Sequence, residues 1–495
     1  MNTDVKHPIK SVWWLGLAAA LMVIGYLAAS KLTFTVGFPL DDAWIHQTYA
    51  RNLGVYGEWS FRLGQVSAGS TSPLWSLLLA FGYMLRVPPL VWAFIWGWLL
   101  LWALGVIGWR WATLVDARYP LGVGLLLVGS WQMVWAAVSG METLLAAVLA
   151  TLVLGMLATR WNRWGALGAL VALGAWIRPD LLTLLGPVLV SIGLARAERG
   201  QKIHNLLGFL GGFLPLFLLY LGFNRWLGGT WLPNTFYAKQ AEYAILYEVP
   251  LWKRFLEQFA LLLVGGGVLL LPGVAIWGWV LGRRRDWAGL TGLAWVLGYL
   301  GVFALRLPVT YQHGRYAMPA MAVFWVFGAL GWLFGWAWLR GKRWGRVIGA
   351  VWGISTVLVM LLFLGLGAQA YGQDVAVIET EMVAVAQFLG REVPPDALLA
   401  VHDIGAVGYF APQPMLDLAG LVSPEVVPFL RDEAALARFL DARGAAYLVA
   451  FPGWYPLLVQ CGEPVFVSGG KFAPELGGEN LTVYRWRSGC VLQER

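Results

Sequence analysis

Two adjacent carboxylates, Asp41 and Asp42, follow Pro39 and open the segment DDAWIHQTYARNL. Neighbouring acids can divide one reaction. One takes the proton of an attacking hydroxyl while the other steers that hydroxyl or a divalent metal ion. Read as a helix, the segment places Ile45, Tyr49 and Leu53 at spacing four on one stripe, and Asp42 and His46 on another face. It therefore reads as a short amphipathic helix lying on a bilayer surface. A single Asp would serve as its N-cap, so the second invites chemistry.

Further candidates lie between apolar runs. Glu142 stands in Ser-Gly-Met-Glu-Thr, and Arg178-Pro179-Asp180 sits between two other runs. Both are also ordinary helix boundaries, and Arg178 with Asp180 would serve equally as a structural ion pair. The 224–254 loop carries Pro233-Asn234-Thr-Phe-Tyr237-Ala-Lys239, and the 306–319 loop carries Tyr311-Gln-His313-Gly-Arg315-Tyr316. Lys239, His313 and Arg315 suit a phosphate through charge-assisted hydrogen bonds. Snorkelling to lipid phosphates is the everyday alternative. There is no Cys/His metal spacing, P-loop or Gly-x-Ser-x-Gly elbow, so a divalent metal ion is the one cofactor left open, with no decisive ligand set for it.

The elements that must position these residues are membrane helices. Of the 495 residues 59% are hydrophobic and 13% charged, against about 25% charged in a soluble domain. A water-soluble globular enzyme is excluded. Up to residue 370 there are 12 acids and 27 Lys/Arg; beyond it, 15 acids and eight Lys/Arg. The net charge of +8 sits mainly in short loops, where it reports topology and anionic lipid, not nucleic acid. Many of the 31 Trp flank apolar runs, as interfacial rings do.

Lys6 and Lys10 before the run Ser11–Ser30 hold the N-terminus in the cytoplasm, as do Arg283–Arg285 and the Arg340–Arg346 stretch for later loops. Twelve apolar runs would leave the tail inside as well. The 73–86 run, short and ending at Arg86, is therefore taken as a partial crossing, which makes about eleven spans. The expected architecture is a mostly α, polytopic helix bundle over 1–370, with a first outer loop at 31–72. A soluble α/β domain of 371–495 follows on the far side of the plasma membrane. In it Val375–Leu389 and Glu433–Arg443 read as helices, and Leu398–His402, Ala446–Phe451 and Leu481–Trp486 as strands. Cys461 and Cys490 both fall there and would be free to pair if it is exported.

An ordered set of motifs then carries a resemblance. Asp41-Asp42-Ala-Trp-Ile-His46, Tyr49-Ala-Arg51-Asn52-Leu and Gly69-Ser-Thr-Ser-Pro73-Leu-Trp75 come first. Gly140-Met-Glu142-Thr, Arg178-Pro-Asp180, Pro233-Asn-Thr-Phe-Tyr-Ala-Lys239, Arg315-Tyr-Ala-Met-Pro319 and His402-Asp-Ile-Gly-Ala-Val-Gly-Tyr409 follow. Together they resemble GT-C-fold glycosyltransferases, most nearly the terminal arabinofuranosyltransferase family. Trp44 and Thr48 depart from the Tyr and Arg of nearer relatives.

The resemblance implies an integral membrane enzyme that moves a sugar from a polyprenyl-phosphate donor to a cell-surface glycan or glycolipid, with inversion. Its outer-loop acid would be Asp41 or Asp42. His46, Glu142, Arg178, Asp180, Asn234, Tyr237, Lys239, His313, Arg315 and Tyr316 form the candidate substrate-binding set. A transporter or flippase for lipid-linked sugars is the alternative. Against it, the acids cluster in outer loops and no inverted repeat is visible.

Overall fold

The computed structural model describes residues 8–115 and 117–490; Lys6 lies outside them. Among the described residues six helices are long and apolar enough to cross a membrane, including Ile9–Thr33, Pro89–Leu114, Arg199–Gly228 and Met318–Leu339. Two bent pairs raise the number to eight. Pro120–Val128 with Trp131–Val138 turns by 53°, and Leu251–Leu263 with Gly267–Arg284 turns by 102°. The expected count of about eleven included runs that form shorter helices, Thr143–Ala158, Trp164–Ile177 and Pro179–Leu194, and the run set aside as a partial crossing forms the short Pro73–Met84. At about 1.5 Å per residue, 12 to 16 residues do not span about 30 Å of hydrocarbon. Their ends, which carry Glu142 and Arg178, stop inside the protein.

Met318–Leu339 is apolar all round and buried along most of its length, the mark of a central helix. Gly331 is needed where this helix meets Gly267–Arg284: a Cβ there would lie 1.8 Å from the carbonyl oxygen of Gly273. Small residues let two backbones touch, and hydrocarbon offers no hydrophobic drive to substitute for that contact.

The last long helix, Arg343–Ile378, continues through a π turn at Glu379–Val383 into Ala384–Glu392. This 50-residue rod is longer than a bilayer is thick and carries the chain into the C-terminal domain without a linker. Glu381, buried in the π turn, ties the rod to that domain. It accepts from the hydroxyl of Ser468, the side chain of Asn480 (3.0 Å) and the backbone N–H of Leu481 (2.8 Å).

After a short hairpin of β1 (Ser60–Arg62) and β2 (Gln65–Val66), the remaining strands are all in the C-terminal domain. They are β3 (Leu399–Val401), β4 (Met415–Asp417), β5 (Tyr447–Ala450), β6 (Gly462–Val467) and β7 (Thr482–Trp486). They form one mixed sheet in the order β4-β3-β5-β7-β6, with β3 parallel to β4 and β5, and β7 antiparallel to β5 and β6. Alternation along the strands gives the sheet two buried faces. Val401, Val449 and Val483 join the core shared with the membrane body. Ala400, Leu448 and Tyr484 pack with Leu436 and Leu440 of the Glu433–Arg443 helix. That helix begins at Asp432, which accepts from the N–H of Ala435 at 2.9 Å, and ends at Gly444 with φ 71°.

Cys461 and Cys490 are bonded to each other, closing 29 residues of chain around β6 and β7. Chain-entropy arguments give such a loop about 3 kcal/mol. The Cys461→Ala/Cys490→Ala variant should lose about that much stability of the C-terminal domain in a denaturant titration. Thiol counting on denatured wild type should find two cysteines only after reduction; two free thiols beforehand would refute the pairing.

Candidate functional site

Asp42–Tyr56 forms the expected helix, but it does not lie on a bilayer surface. Ala43, Trp44, His46, Gln47, Thr48, Tyr49, Ala50 and Asn52 are all buried. The C-terminal domain covers one side of it and Pro73–Met84 another. Neighbouring residues of a helix diverge by about 100°, so Asp41 and Asp42 point to different partners.

Asp41 caps no N–H of its own helix. Its carboxylate accepts from the backbone N–H of Gly405 at 2.6 Å and of Ala406 at 2.8 Å, the start of the Ile404–Phe410 helix. Gly405 permits the approach, because a Cβ there would come within 2.0 Å of the Asp41 carbonyl oxygen. Burial pushes the Asp41 carboxyl up to about 6, against the pull of those two N–H groups. Three turns along, Arg51 grips the other end of the same short helix. It donates to the carbonyl of Tyr409 at 2.7 Å and stands 4.8 Å from the centre of that ring. An acid at the N-terminus and a guanidinium at the C-terminus both match the helix dipole. Trp44 packs between them on Tyr409 and Phe410.

Asp42 faces the other way. Its Oδ2 accepts from Arg315 at 2.5 Å and lies 3.4 Å from the Lys239 ammonium. Both cations also donate to the hydroxyl of Tyr316, at 3.1 Å each. Burial alone would raise the Asp42 carboxyl, but Lys239 and Arg315 outweigh it and hold the group well below the usual carboxylate range. Arg315 is buried, and its Nε and Nη1 have no partner. An unfilled guanidinium in a buried position is an anion site in waiting.

Arg315 follows a turn in which Gln312, His313 and Gly314 all have positive φ, at 53°, 57° and 69°. Such backbone persists only where its surroundings over-determine it. His313 supplies the anchor: its Nε2 is 2.8 Å from Asp374, and its ring lies edge-on to Trp131 and Trp135. His313 thus supports the turn that presents Arg315 and does not line the cavity beside Asp42.

A second polar row lies alongside. His46 is 3.4 Å from Glu142 through Nε2 and 2.9 Å from the Ser76 hydroxyl through Nδ1. Arg178 pairs with Asp180 at 3.0 Å, and Asp180 accepts from Tyr299 at 2.5 Å. Arg178 also stands 5.2 Å from the Tyr316 ring, which joins this row to the first. Asp42, His46, Glu142, Arg178, Asp180, Lys239, Arg315 and Tyr316 line one cavity of about 470 Å³. Its other walls are largely apolar, with Ile45, Met141, Leu182, Phe236, Val302 and Phe303. Asn234 and Tyr237 stay outside it. Asn234 starts the Asn234–Glu242 helix with its N–H on the Ala68 carbonyl, and Tyr237 is half exposed against Phe236.

Asp42 lines two further cavities, of about 390 and 660 Å³, on the side of the C-terminal domain. Their polar walls bring in Asp41, Asp403, Gln312 and Trp454, and the smaller adds Glu242 and His402. Trp454 was not anticipated from the sequence, and Asp403 entered only within a motif. Neither sits in a periodic pattern that would mark it. Among the described residues no group of three His, Cys, Asp or Glu side chains is placed to hold a metal ion.

Comparison with known proteins bears on the fold. A family described as a domain of unknown function (DUF8728) matches residues 370–484. No curated protein matches. Among solved structures, ArnT from Cupriavidus metallidurans bound to undecaprenyl phosphate has a TM-score of 0.60 at 16% identity, covering 97% of this chain and 99% of that one. The Archaeoglobus fulgidus oligosaccharyltransferase in its apo form has a TM-score of 0.60 at 10% identity, over 90% and 69% of the two chains. AglB from the same organism, in complex with an inhibitory peptide and a dolichol-phosphate, has a TM-score of 0.54 at 11% identity, over 89% and 69%. The chain has the GT-C fold.

The two-ended grip on the Ile404–Phe410 helix generates a stability prediction. Hydrogen bonds to a buried carboxylate contribute about 1.5–3 kcal/mol each. With two such bonds, Asp41→Ala should loosen the C-terminal domain by about 3–6 kcal/mol, read as a lower melting temperature and faster proteolysis beyond residue 392. Arg51→Ala should act in the same direction and less strongly. Wild-type protease resistance in both variants would refute the grip.

Proposed function

We propose that the chain is an integral membrane glycosyltransferase that moves a sugar from a polyprenyl-phosphate donor to a glycan or glycolipid acceptor, on the side of the membrane away from the cytoplasm. One observation carries the reading: Asp42 stands in the wall between an apolar cavity studded with cations and a polar cavity beneath the soluble domain. A lipid phosphate suits the first and a hydroxyl-bearing acceptor the second. The fold supports it, since ArnT bound to undecaprenyl phosphate and AglB with a dolichol-phosphate share it. The orientation rests on the basic loops at Arg283–Arg285 and Arg340–Arg346.

In this reading the resting ion cluster is a place-holder for substrate. A donor phosphate takes the free N–H groups of Arg315 and the Lys239 ammonium, and its prenyl chain follows the apolar wall towards lipid. With its cations shared, Asp42 becomes more basic than in the resting cluster. The acceptor oxygen attacks the anomeric carbon from the side opposite the phosphate and inverts it. The new C–O bond forms as the bond to the phosphate oxygen breaks, and Asp42 receives the hydroxyl proton. The charge that develops on the leaving phosphate is stabilised by Arg315 and Lys239, with Arg178 one ring away.

Purified protein in nanodiscs, given a panel of polyprenyl-phosphate sugars and octyl glycosides, should release lipid phosphate and form an extended glycoside. Nucleotide sugars should not replace the donor. Asp42→Asn should lower turnover by about 10²-fold or more at unchanged fold, in line with the usual worth of a general base. An Asp42→Asn enzyme of wild-type rate would overturn the assignment. Undecaprenyl phosphate alone should raise the wild-type melting temperature. It should leave Arg315→Gln unmoved, and an equal shift in the variant would remove Arg315 from the phosphate site. The transfer repeated in EDTA should proceed; its loss would give a divalent ion part of the work.

A further inference from the structure

We propose that Asp403 of the C-terminal domain, and not Asp41, is the second carboxyl of the reaction, binding the acceptor's hydroxyls opposite Asp42 with Trp454 as the platform for a neutral sugar. The inference rests on the glycosyl-transfer reading and adds the acceptor subsite to it. Asp42 and Asp403 come from separate parts of the chain yet line the same two polar cavities. Asp41 has spent both of its oxygens on the N–H groups of Gly405 and Ala406. Asp403 has not: its Oδ2 is buried and has no partner, and neither has the Oε1 of Gln312, which lines both cavities too.

Two buried acceptors without donors call for a ligand that brings O–H groups, because an unmet polar atom away from water costs about 1–3 kcal/mol. The charges around them argue against an anionic ligand here. Asp41, Asp42, Glu242 and Asp403 line the smaller cavity against two cations, Lys239 and Arg315, which both reach Asp42 and whose remaining donors the lipid phosphate takes in the glycosyl-transfer reading. His402 adds no positive charge. Burial pushes its imidazole down to about 4, and its Nδ1 is 2.7 Å from the Tyr455 hydroxyl. Burial, and then the neighbouring acids Asp41, Asp42 and Glu242, push the Asp403 carboxyl well up. Trp454 is half exposed, lines both cavities and meets the His402 ring edge-on at 4.7 Å. An aromatic face among a few convergent hydrogen-bonding groups fits the apolar face and hydroxyl rim of a sugar ring.

The grip described above explains how a residue of one domain is held at the chemistry of the other. Asp403 immediately precedes the Ile404–Phe410 helix, whose ends are held by Asp41 and Arg51. Asp41 immediately precedes the helix that begins with Asp42, and Arg51 lies within it. The two working carboxyls therefore belong to one packed unit, and Asp41 is a positioning residue.

The test uses the full-length protein in nanodiscs and saturation-transfer NMR with a panel of neutral methyl pyranosides and furanosides. At least one glycoside should receive saturation from wild type. Trp454→Ala should abolish that signal and Asp403→Asn should weaken binding at least tenfold. Both variants should keep the melting shift given by undecaprenyl phosphate, which shows that they are folded and that the donor side is intact. Wild-type binding in Asp403→Asn, or no binding of any glycoside to wild type, overturns the proposal. Failure of the glycosyl-transfer reading shows differently, as glycoside binding with neither a response to undecaprenyl phosphate nor transfer from any polyprenyl-phosphate sugar.

Discussion

The grip of one membrane-body segment on both ends of the Ile404–Phe410 helix is the interaction on which the site depends. A seven-residue helix has little stability of its own, since nucleation consumes most of what its few hydrogen bonds return. Here a carboxylate satisfies N–H groups at its start and a guanidinium satisfies carbonyls at its end, with Trp44 packed between. The clamp also brings the soluble domain close enough to roof the cavities around Asp42. Without it the polar cavities would open to solvent, and the electrostatics that organise Asp42, Lys239 and Arg315 would weaken in high dielectric.

The two neighbouring acids illustrate how environment separates equal side chains. Both are desolvated, which favours the neutral form. Asp41 meets burial, two backbone N–H groups and the Asp42 charge and is left with a raised proton affinity, whereas Asp42 meets two full cations and is held ionised. The cluster around Asp42 is itself incomplete. Arg315 has donors to spare, and the carboxyl of Asp403 and the amide of Gln312 have acceptors to spare. Unmet donors and unmet acceptors on the two sides of one carboxylate are the pattern expected of a site that joins an anionic leaving group to a hydroxyl nucleophile.

Much of this was legible in the sequence. Scarcity of acids in an apolar body marks the few that remain, and Asp42, His46, Glu142, Arg178, Asp180, Lys239, Arg315 and Tyr316 do meet around one cavity. The Glu433–Arg443 helix with its Gly444 end, and the strands around 400, 448 and 484, follow from periodicity and capping. Other readings failed for physical reasons. His313 looked like a phosphate ligand because cations on outer loops do, but a strained turn needed its ring and its bond to Asp374. The segment after Asp42 looked amphipathic and superficial because its Arg51 pairs with Tyr409, 358 residues further on. Apolar runs that stop inside the protein cannot be told from full crossings by composition, and among the described residues six to eight helices, against about eleven expected spans, are long enough to cross.

By itself the sequence determined what local chemistry governs: an apolar helical membrane body, strands and helices alternating in its C-terminal part, and a short roster of charged residues too costly to bury idly. The tertiary structure decided which of them work together. It gave Asp41 to the soluble domain and Asp42 to the cations, made His313 a support, and brought Asp403 and Trp454 to the far wall. The reason is range. Periodicity and capping act over a few residues and are written in order along the chain, whereas desolvation and ion pairing depend on neighbours that only the folded packing supplies.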